Sequence, residues 1–213
     1  YILMKIVNVR QGIPLTGMLG GLVSSTAVSL SFGRRSNEAP DLAPHFAIAI
    51  TIAWAIMFLR ILVQVGVLNL SLLAILWISL LVAALALAIY AGILYLRHKE
   101  DSAEEVAIAN PFELRSALTF GAIYAIILLV SRAAQLYFGE IGIYISSILG
   151  GLADVNAVTL TMAELSNQPD VLEPEVAAEA IMLAALSNTL VRITIVFVTG
   201  VSALRRYMFP SAL

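Results

Sequence analysis

Between Arg60 and Arg97 the chain runs for 36 residues without one Asp, Glu, Lys, Arg or His. A helix that crosses a bilayer needs about 20 consecutive apolar residues, so this stretch is long enough to span a membrane. The whole chain is 61% hydrophobic and only 12% charged, whereas soluble domains carry about 25% charged residues. The sequence therefore predicts an all-α, multi-pass membrane protein whose first partner is the lipid bilayer.

The same composition excludes several functions. Net charge is −2 and no basic stripe is present, so nucleic acid is not an expected partner. The absence of Cys excludes disulfides and thiolate metal sites. His45 and His98 fall in or beside predicted loops, which leaves no intramembrane His to bind haem or zinc or to serve Ser24 as a base. We therefore expect neither an enzyme nor a cofactor.

A glycine motif occurs twice. Residues 19–30 return as 149–160, and nine of twenty residues are identical when 19–38 is aligned with 149–168. A second match aligns 53–61 with 185–193, which places Arg60 opposite Arg192. The repeated element is a motif helix followed by an arginine helix. The sequence thus predicts one membrane domain, 1–213, with a pseudo-two-fold repeat: repeat 1 at about 1–97, a polar linker at 98–109, and repeat 2 at about 110–213.

Six spanning helices are predicted, after a truncated one at 1–11 whose upstream membrane segment is expected to be missing. They cover 13–33, 45–66, 70–96, 110–138, 141–165 and 175–204. Residues 34–44 are expected to form a polar loop. The crossing count places both motif helices in the same direction, a parallel repeat about an axis along the membrane normal. A re-entrant segment would change the parity and make the repeat inverted.

Membrane orientation depends on the basic residues at the helix ends, because cytoplasmic loops carry more Lys and Arg. The predicted helices place five of them on one side: Arg34, Arg35, Arg97, Lys99 and Arg115. Four fall on the other: Lys5, Arg10, Arg205 and Arg206. Five against four favours the first side as cytoplasmic.

Four stretches resemble a family of uncharacterised prokaryotic membrane domains, domain of unknown function 4010. They are LTGMLGGLVSSTAVSLSFGRRS (15–36), MFLRILV (57–63), NPFELRSAL (110–118) and GGLADVNAVTLTMAEL (150–165). The resemblance implies a multi-pass protein of the prokaryotic inner membrane. Such domains are often found C-terminal to an MgtC/SapB-type domain, which implies a loose link to magnesium homeostasis. The resemblance implies no activity for individual residues.

The paired glycines Gly20, Gly21, Gly150 and Gly151 have two interpretations. Small residues let membrane helices pack closely. Alternatively, both helices unwind there and offer free carbonyl oxygens to a cation. The neighbouring hydroxyl groups either bind a solute or bond back to their own helix. They belong to Ser24, Ser25, Thr26 and Ser29.

Asp154, opposite Ser24 in the alignment, is the strongest candidate. A carboxylate inside a spanning helix costs about 2.5–3.5 kcal/mol, so it is expected to face protein or water as an ion, proton or, speculatively, metal ligand. Neutral candidates beside it are Asn156, Thr159 and Asn188. Residues 154 and 156 point about 200° apart in a regular helix, so both reach one ligand only if the helix unwinds.

Arg60 and Arg192 also have alternative roles. One could form a structural salt bridge with Asp154 while the other bonds to carbonyls at a broken helix. Both could instead line an anion-attracting vestibule. We predict that Asp154 lies near residues 24–26 and within reach of Arg60 or Arg192.

Two functions fit this pattern. The first is a small-ion transporter or channel, for a cation or a proton, with its polar site at the two motifs. The second is a non-transporting assembly or regulatory subunit whose glycines and ion pairs only fix helix packing. A homo-oligomer is compatible with either.

Overall fold

The computed structural model describes residues 9–98, 141–168 and 171–212, which are almost wholly helical. One 3₁₀ turn, Pro40–Leu42, joins the second and third helices. The predicted helix 110–138 and the linker beyond His98 lie outside the described residues. The helices are α1 (Val9–Val23), α2 (Ser25–Glu38), α3 (Ala43–Leu68), α4 (Leu70–Arg97), α5 (Ile141–Ala153), α6 (Val155–Leu165), α7 (Pro174–Thr199) and α8 (Ser202–Ala212).

Three helices in the described part of the chain are long and apolar enough to cross a membrane: α3, α4 and α7. They have 26, 28 and 26 residues, or about 40 Å each at 1.5 Å per residue. Helix α4 is the least buried of the three, and apolar side chains cover its exposed faces. The prediction of an all-helical, membrane-type protein is confirmed at this level. Helices 45–66 and 70–96 were predicted to within two residues.

The described residues fall into two compact units. Unit 1 contains 9–60, 80–98 and 192–212, and unit 2 contains 61–79, 141–168 and 171–191. Each unit therefore holds one copy of the glycine motif. The long helices α3, α4 and α7 contribute residues to both.

The predicted single helices 13–33 and 141–165 are wrong, because each is broken at one residue. Ser24 has φ −157° and ψ 107°, and Asp154 has φ −157° and ψ 112°. Extended backbone of this kind cannot continue an α-helix. Each side chain instead caps the helix that follows: Ser24 Oγ accepts from Ala27 N at 3.2 Å, and the Asp154 carboxylate accepts from Asn156 N at 2.9 Å. Ser and Asp are among the preferred N-cap residues.

Helix α1 lies against α3 and runs in the same direction. Gly17 packs on Ala49, and one turn later in both helices Gly21 packs on Ala53. A Cβ atom on Gly21 would lie 2.7 Å from Ala53 Cα, so the two backbones are in direct contact. Small residues four apart permit this approach between membrane helices.

Helix α2 lies against the same helix but runs in the opposite direction. Trp54 Nε1 donates to Ser29 Oγ at 2.8 Å, near the start of α2. Phe32, further along α2, stacks on Phe46, which is earlier in α3, with ring centroids 5.3 Å apart. Helices α1 and α2 therefore fold back on each other, and we call residues 9–38 hairpin 1.

A contact between α1 and α2 also shows how sharply the chain bends at Ser24. A Cβ atom on Gly20 would lie 2.6 Å from Val28 Cγ2. In a straight helix these residues would be about 12 Å apart. Helices α1, α2 and α6 have 15, 14 and 11 residues, or about 16–22 Å, against the roughly 30 Å of a bilayer core. Half-helices of this length are too short to cross a bilayer.

Residues 141–165, which we call hairpin 2, have the same single-residue break within unit 2. Helix α5 runs alongside α7 in the same direction: Tyr144 Oη donates to Glu179 Oε2, and Ser187 Oγ donates to Ile148 O. Helix α6 runs alongside the end of α3 in the same direction, through bonds that join Gln64 to Asn156 and Asn69 to Ser166.

Within unit 1 the two arginine helices α3 and α7 run in opposite directions, whereas the predicted parallel repeat would place them in the same direction. Within unit 1, Arg192 of α7 bonds to Ser25 at the start of α2, and Thr199 O accepts from Asn37 near its end. Helix α7 is therefore parallel to α2, which is antiparallel to α3. The crossing count treated residues 141–165, which precede α7 and form two half-helices, as one full span.

Because α7 runs parallel to α2, Arg205 and Arg206 lie at a different end of the helices than the sequence predicted. The predicted helix 175–204 ends at Thr199, and α8 follows a bend at Gly200. Val201 N donates to Ser36 Oγ, and the ring of Tyr207 lies edge-on to His98 at 5.2 Å. The arginines of α8 therefore lie at the same end of unit 1 as Arg34, Arg35 and Arg97, not opposite them. Residues 34–38, predicted as loop, belong to α2.

The glycine contacts give a stability prediction. We expect Gly21→Ala to lower the free energy of unfolding by about 1–3 kcal/mol, since its Cβ must displace the α3 backbone. Gly92→Ala is the matched control, because nothing lies within 4 Å of a Cβ there and helix propensity favours Ala by about 1 kcal/mol. Thermal unfolding in detergent measures both, and equal melting temperatures would contradict the contact.

Candidate functional site

The break in hairpin 1 leaves no glycine carbonyl free. Gly20 O accepts from Ser24 N at 2.7 Å, within the last turn of α1. Arg60 Nη1 reaches from α3 to Gly21 O at 3.4 Å and to Val23 O at 3.3 Å. A guanidinium thus satisfies the helix end that the break exposes. This matches the predicted alternative of an arginine bonded to carbonyls at a broken helix.

Arg192 lies on the other side of the same break and is fully buried. Its Nη1 atom donates to Ser25 Oγ at 3.2 Å, and its guanidinium lies 5.5 Å from the centroid of the Trp54 ring. A cation over a buried aromatic face is attracted by the ring quadrupole. Ser29 Oγ accepts from Trp54 Nε1 and donates to Ser25 O at 2.9 Å. The buried hydroxyls Ser25 and Ser29 are therefore part of a packed network, and Thr26 lies half-buried beside them.

Different residues bond to the backbone carbonyls at the break in hairpin 2. Gly150 O accepts from Asp154 N at 2.8 Å, as Gly20 O does from Ser24 N. Gly151 O accepts from the buried Asn188 Nδ2 at 2.8 Å. Gly151 also packs on the Ala184 backbone so closely that a Cβ would clash with it. All four glycine carbonyls therefore accept a hydrogen bond, unlike the free carbonyls of the second interpretation.

Asp154 is half-buried at the start of α6, and its Oδ1 atom accepts from both the backbone and the side-chain nitrogen of Asn156. Asn156 Oδ1 in turn accepts from Gln64 Nε2 on α3 at 3.3 Å. Residues 154 and 156 reach each other because Asp154 is extended. Thr159 is fully buried and donates to Val155 O at 2.9 Å, so its hydroxyl bonds back to its own helix.

The structure groups the candidates by unit. Hairpin 1 collects Ser24, Ser25, Ser29, Arg60 and Arg192, while hairpin 2 collects Asp154, Asn156 and Asn188. The predicted approach of Asp154 to residues 24–26 and to an arginine joins the two units and stays a prediction.

Three side chains that bond to residues near the two breaks were missed from the sequence: Trp54, Gln64 and Ser187. Gln64 lies one helical turn after Arg60, in a stretch without charged residues, so its position could have identified it. Ser187 precedes Asn188 in the segment aligned with 53–61. Trp54 carries no signal of its own, because an aromatic residue in a membrane helix is ordinary.

The side chains at the break in hairpin 2 offer one carboxylate, that of Asp154, and neutral oxygens. Among the described residues no three His, Cys, Asp or Glu side chains come together as a metal cluster. Divalent cations are usually held by several carboxylates. A single carboxylate with amide oxygens balances one positive charge, that of a monovalent cation or a proton.

Comparisons with known proteins agree with the sequence resemblance. The family model described as Domain of unknown function (DUF4010) matches residues 1–200. The chain is 34% identical over 201 residues to an "Uncharacterized protein" of Aquifex aeolicus (strain VF5), which covers 93% of this chain and 87% of the relative. No solved structure matches.

Substitutions of Asp154 distinguish the effect of its negative charge from the effect of its N-cap hydrogen bonds. Asp154→Asn keeps an acceptor for Asn156 N, and Asn caps helices as well as Asp does, so we expect unfolding free energy to change by less than about 0.5 kcal/mol. Asp154→Ala removes the cap and should cost about 0.5–2 kcal/mol. Thermal unfolding of both variants, with Ser24→Asn and Ser24→Ala as the corresponding pair in hairpin 1, measures this. A large loss in Asp154→Asn would show that the negative charge itself holds the fold.

Proposed function

Because the chain belongs to the family described as Domain of unknown function (DUF4010), we propose its function from its own hairpins. We propose a transporter or channel for a small monovalent cation or a proton, in the prokaryotic inner membrane. It is multi-pass, and it performs no covalent chemistry. The observation that carries the proposal is the pair of half-length helical hairpins, each broken at a polar residue.

Physical chemistry supports this reading of the breaks. Backbone that leaves helical geometry at membrane depth is tolerated only where protein buries it or where it lines a water-filled cavity. In many transporters such discontinuous helices form the ion site near the bilayer midplane. Asp154 adds a carboxylate at one break, and intramembrane carboxylates mark ion or proton pathways by default.

The helix directions support an inverted repeat. In both copies the first half-helix runs parallel to the arginine helix that follows, α1 with α3 and α5 with α7. The antiparallel arginine helices α3 and α7 of unit 1 fit the inverted alternative that the sequence offered better than the parallel one. Inverted repeats underlie alternating access in many secondary transporters.

The second candidate, an assembly or regulatory subunit, is favoured by one observation. The glycine carbonyls at both breaks already have partners, among them Arg60 and Asn188. A hairpin whose polar groups are satisfied this way can serve as a packing element alone. The two functions differ in whether water and ions reach Asp154.

Flux through the full-length protein in liposomes tests the proposal, with H⁺, Na⁺, K⁺ and Mg²⁺ gradients applied in turn. We expect flux of one of the monovalent ions, and Asp154→Asn should reduce it to the level of empty liposomes while the fold persists. Glu164→Gln is the matched control, since it removes an exposed carboxylate of the same half-helix. Absence of flux in the wild type would leave the assembly role, and undiminished flux in Asp154→Asn would reject Asp154 as the ion site.

The basic end of unit 1 predicts orientation. Five arginines gather where α2 and α4 end and α8 begins, and such clusters lie in the cytoplasm. Because the chain has no Cys, a cysteine introduced at Ser202 or Gln168, both exposed, is the only one it carries. We expect a membrane-impermeant thiol reagent to label Ser202→Cys only from the cytoplasmic side. Gln168 follows α6, which ends beside Leu68 at the far end of α3, so Gln168→Cys should be labelled only from outside. The opposite pattern would reverse the orientation.

A further inference from the structure

Gln64 carries a buried acceptor with no donor. Its Oε1 atom is inaccessible to solvent and makes no hydrogen bond within the part of the chain that the structure describes. The side chain projects from α3, a helix predicted to span the membrane. A buried carbonyl oxygen without a partner costs free energy, and more so where no water is present to replace it. Such an atom needs either repacking or a ligand.

Asn156 links Gln64 to the carboxylate of Asp154, and we call these three hydrogen-bonded side chains the relay. The carboxylate determines the orientation of the Gln64 amide. A carboxylate oxygen only accepts hydrogen bonds, so Asn156 must present Nδ2 to Asp154 and therefore Oδ1 to Gln64. Gln64 then donates through Nε2 at 3.3 Å. Reversing the Gln64 amide would place two carbonyl oxygens against each other. Asp154, through Asn156, thus keeps Gln64 Oε1 turned away from Asn156 Oδ1, where this buried oxygen has no donor among the described residues.

We propose that Gln64 Oε1, together with the Asp154 carboxylate, binds an alkali-metal cation, Na⁺ or K⁺. The inference rests on the proposed function and names its ion class. Hard cations prefer oxygen ligands, including amide carbonyls and carboxylates. A proton alone would bind Asp154 and leave Gln64 Oε1 unpaired, whereas a metal cation supplies the positive partner that this oxygen lacks. The single carboxylate of the relay balances a single charge.

The relay also explains why Gln rather than a charged side chain occupies position 64. A Glu would repel the Asp154 carboxylate and attract a second positive charge, and a Lys would occupy the cation position itself. A neutral amide offers an oxygen without changing the charge balance. Gln64 is therefore a ligand, and Asn156 is a positioning residue that fixes its orientation.

Binding is tested without transport, by the melting temperature of the detergent-solubilised full-length protein. A ligand that binds only the folded state raises melting temperature with its concentration. We expect NaCl or KCl to raise it above choline chloride at equal ionic strength. Gln64→Leu and Asp154→Asn should each lose this response. Gln168→Leu, an exposed control, should retain it.

Flux in liposomes gives the second readout. If Na⁺ or K⁺ is carried, Gln64→Leu should raise its KM about tenfold or more, the effect of losing one ligand worth about 1.4 kcal/mol. Wild-type protein that shows no cation-specific stabilisation would overturn the inference, even if proton flux upheld the proposed function. A response unchanged in Gln64→Leu would overturn it too, with water or repacking then satisfying the amide. Cation-specific stabilisation lost in Gln64→Leu, in a protein without flux, would uphold the site and reject transport.

Discussion

Backbone hydrogen bonding inside a membrane is the constraint on which this structure depends. A helix end leaves N–H and C=O groups without intrahelical partners, and lipid offers none. Ser24 and Asp154 interrupt two helices, so each break has to be satisfied by protein. The N-terminal groups bond to the capping side chains, and the C-terminal carbonyls bond to side chains from the neighbouring long helix. Hairpins of half-membrane length are stable only because both sets of partners are present.

The two breaks share one backbone geometry but use different side chains. Hairpin 1 is capped by a hydroxyl and held by Arg60, whereas hairpin 2 is capped by a carboxylate and held by the neutral Asn188. Positive charge is thereby concentrated at the first break, where Arg192 is also buried, and negative charge at the second. The two copies of one structural element therefore differ in the charge at their breaks.

Close packing between glycine and alanine positions each hairpin against its long helix. Gly21 on Ala53 and Gly151 on Ala184 bring backbones into contact, and this brings Arg60 and Asn188 within reach of the carbonyls they cap. Packing and hydrogen bonding therefore stabilise each other. With the carbonyls occupied, chemistry at the breaks is left to side chains, above all the relay from Asp154 through Asn156 to Gln64.

The sequence by itself determined the membrane class, the long helices near 45–66 and 70–96, and the residues at which the chain is chemically unusual. Charge-free runs and glycine motifs carry that information locally. It did not determine that residues 13–33 turn back at Ser24, because hydropathy averaged over a span cannot detect one extended residue. Each such turn, at Ser24 and again at Asp154, reverses the chain where one straight helix was predicted, so the helix directions cannot be obtained by counting spans. Only tertiary contacts decide which way a half-helix runs and which amide, such as Gln64, is left without a partner, because both depend on residues far apart in the chain.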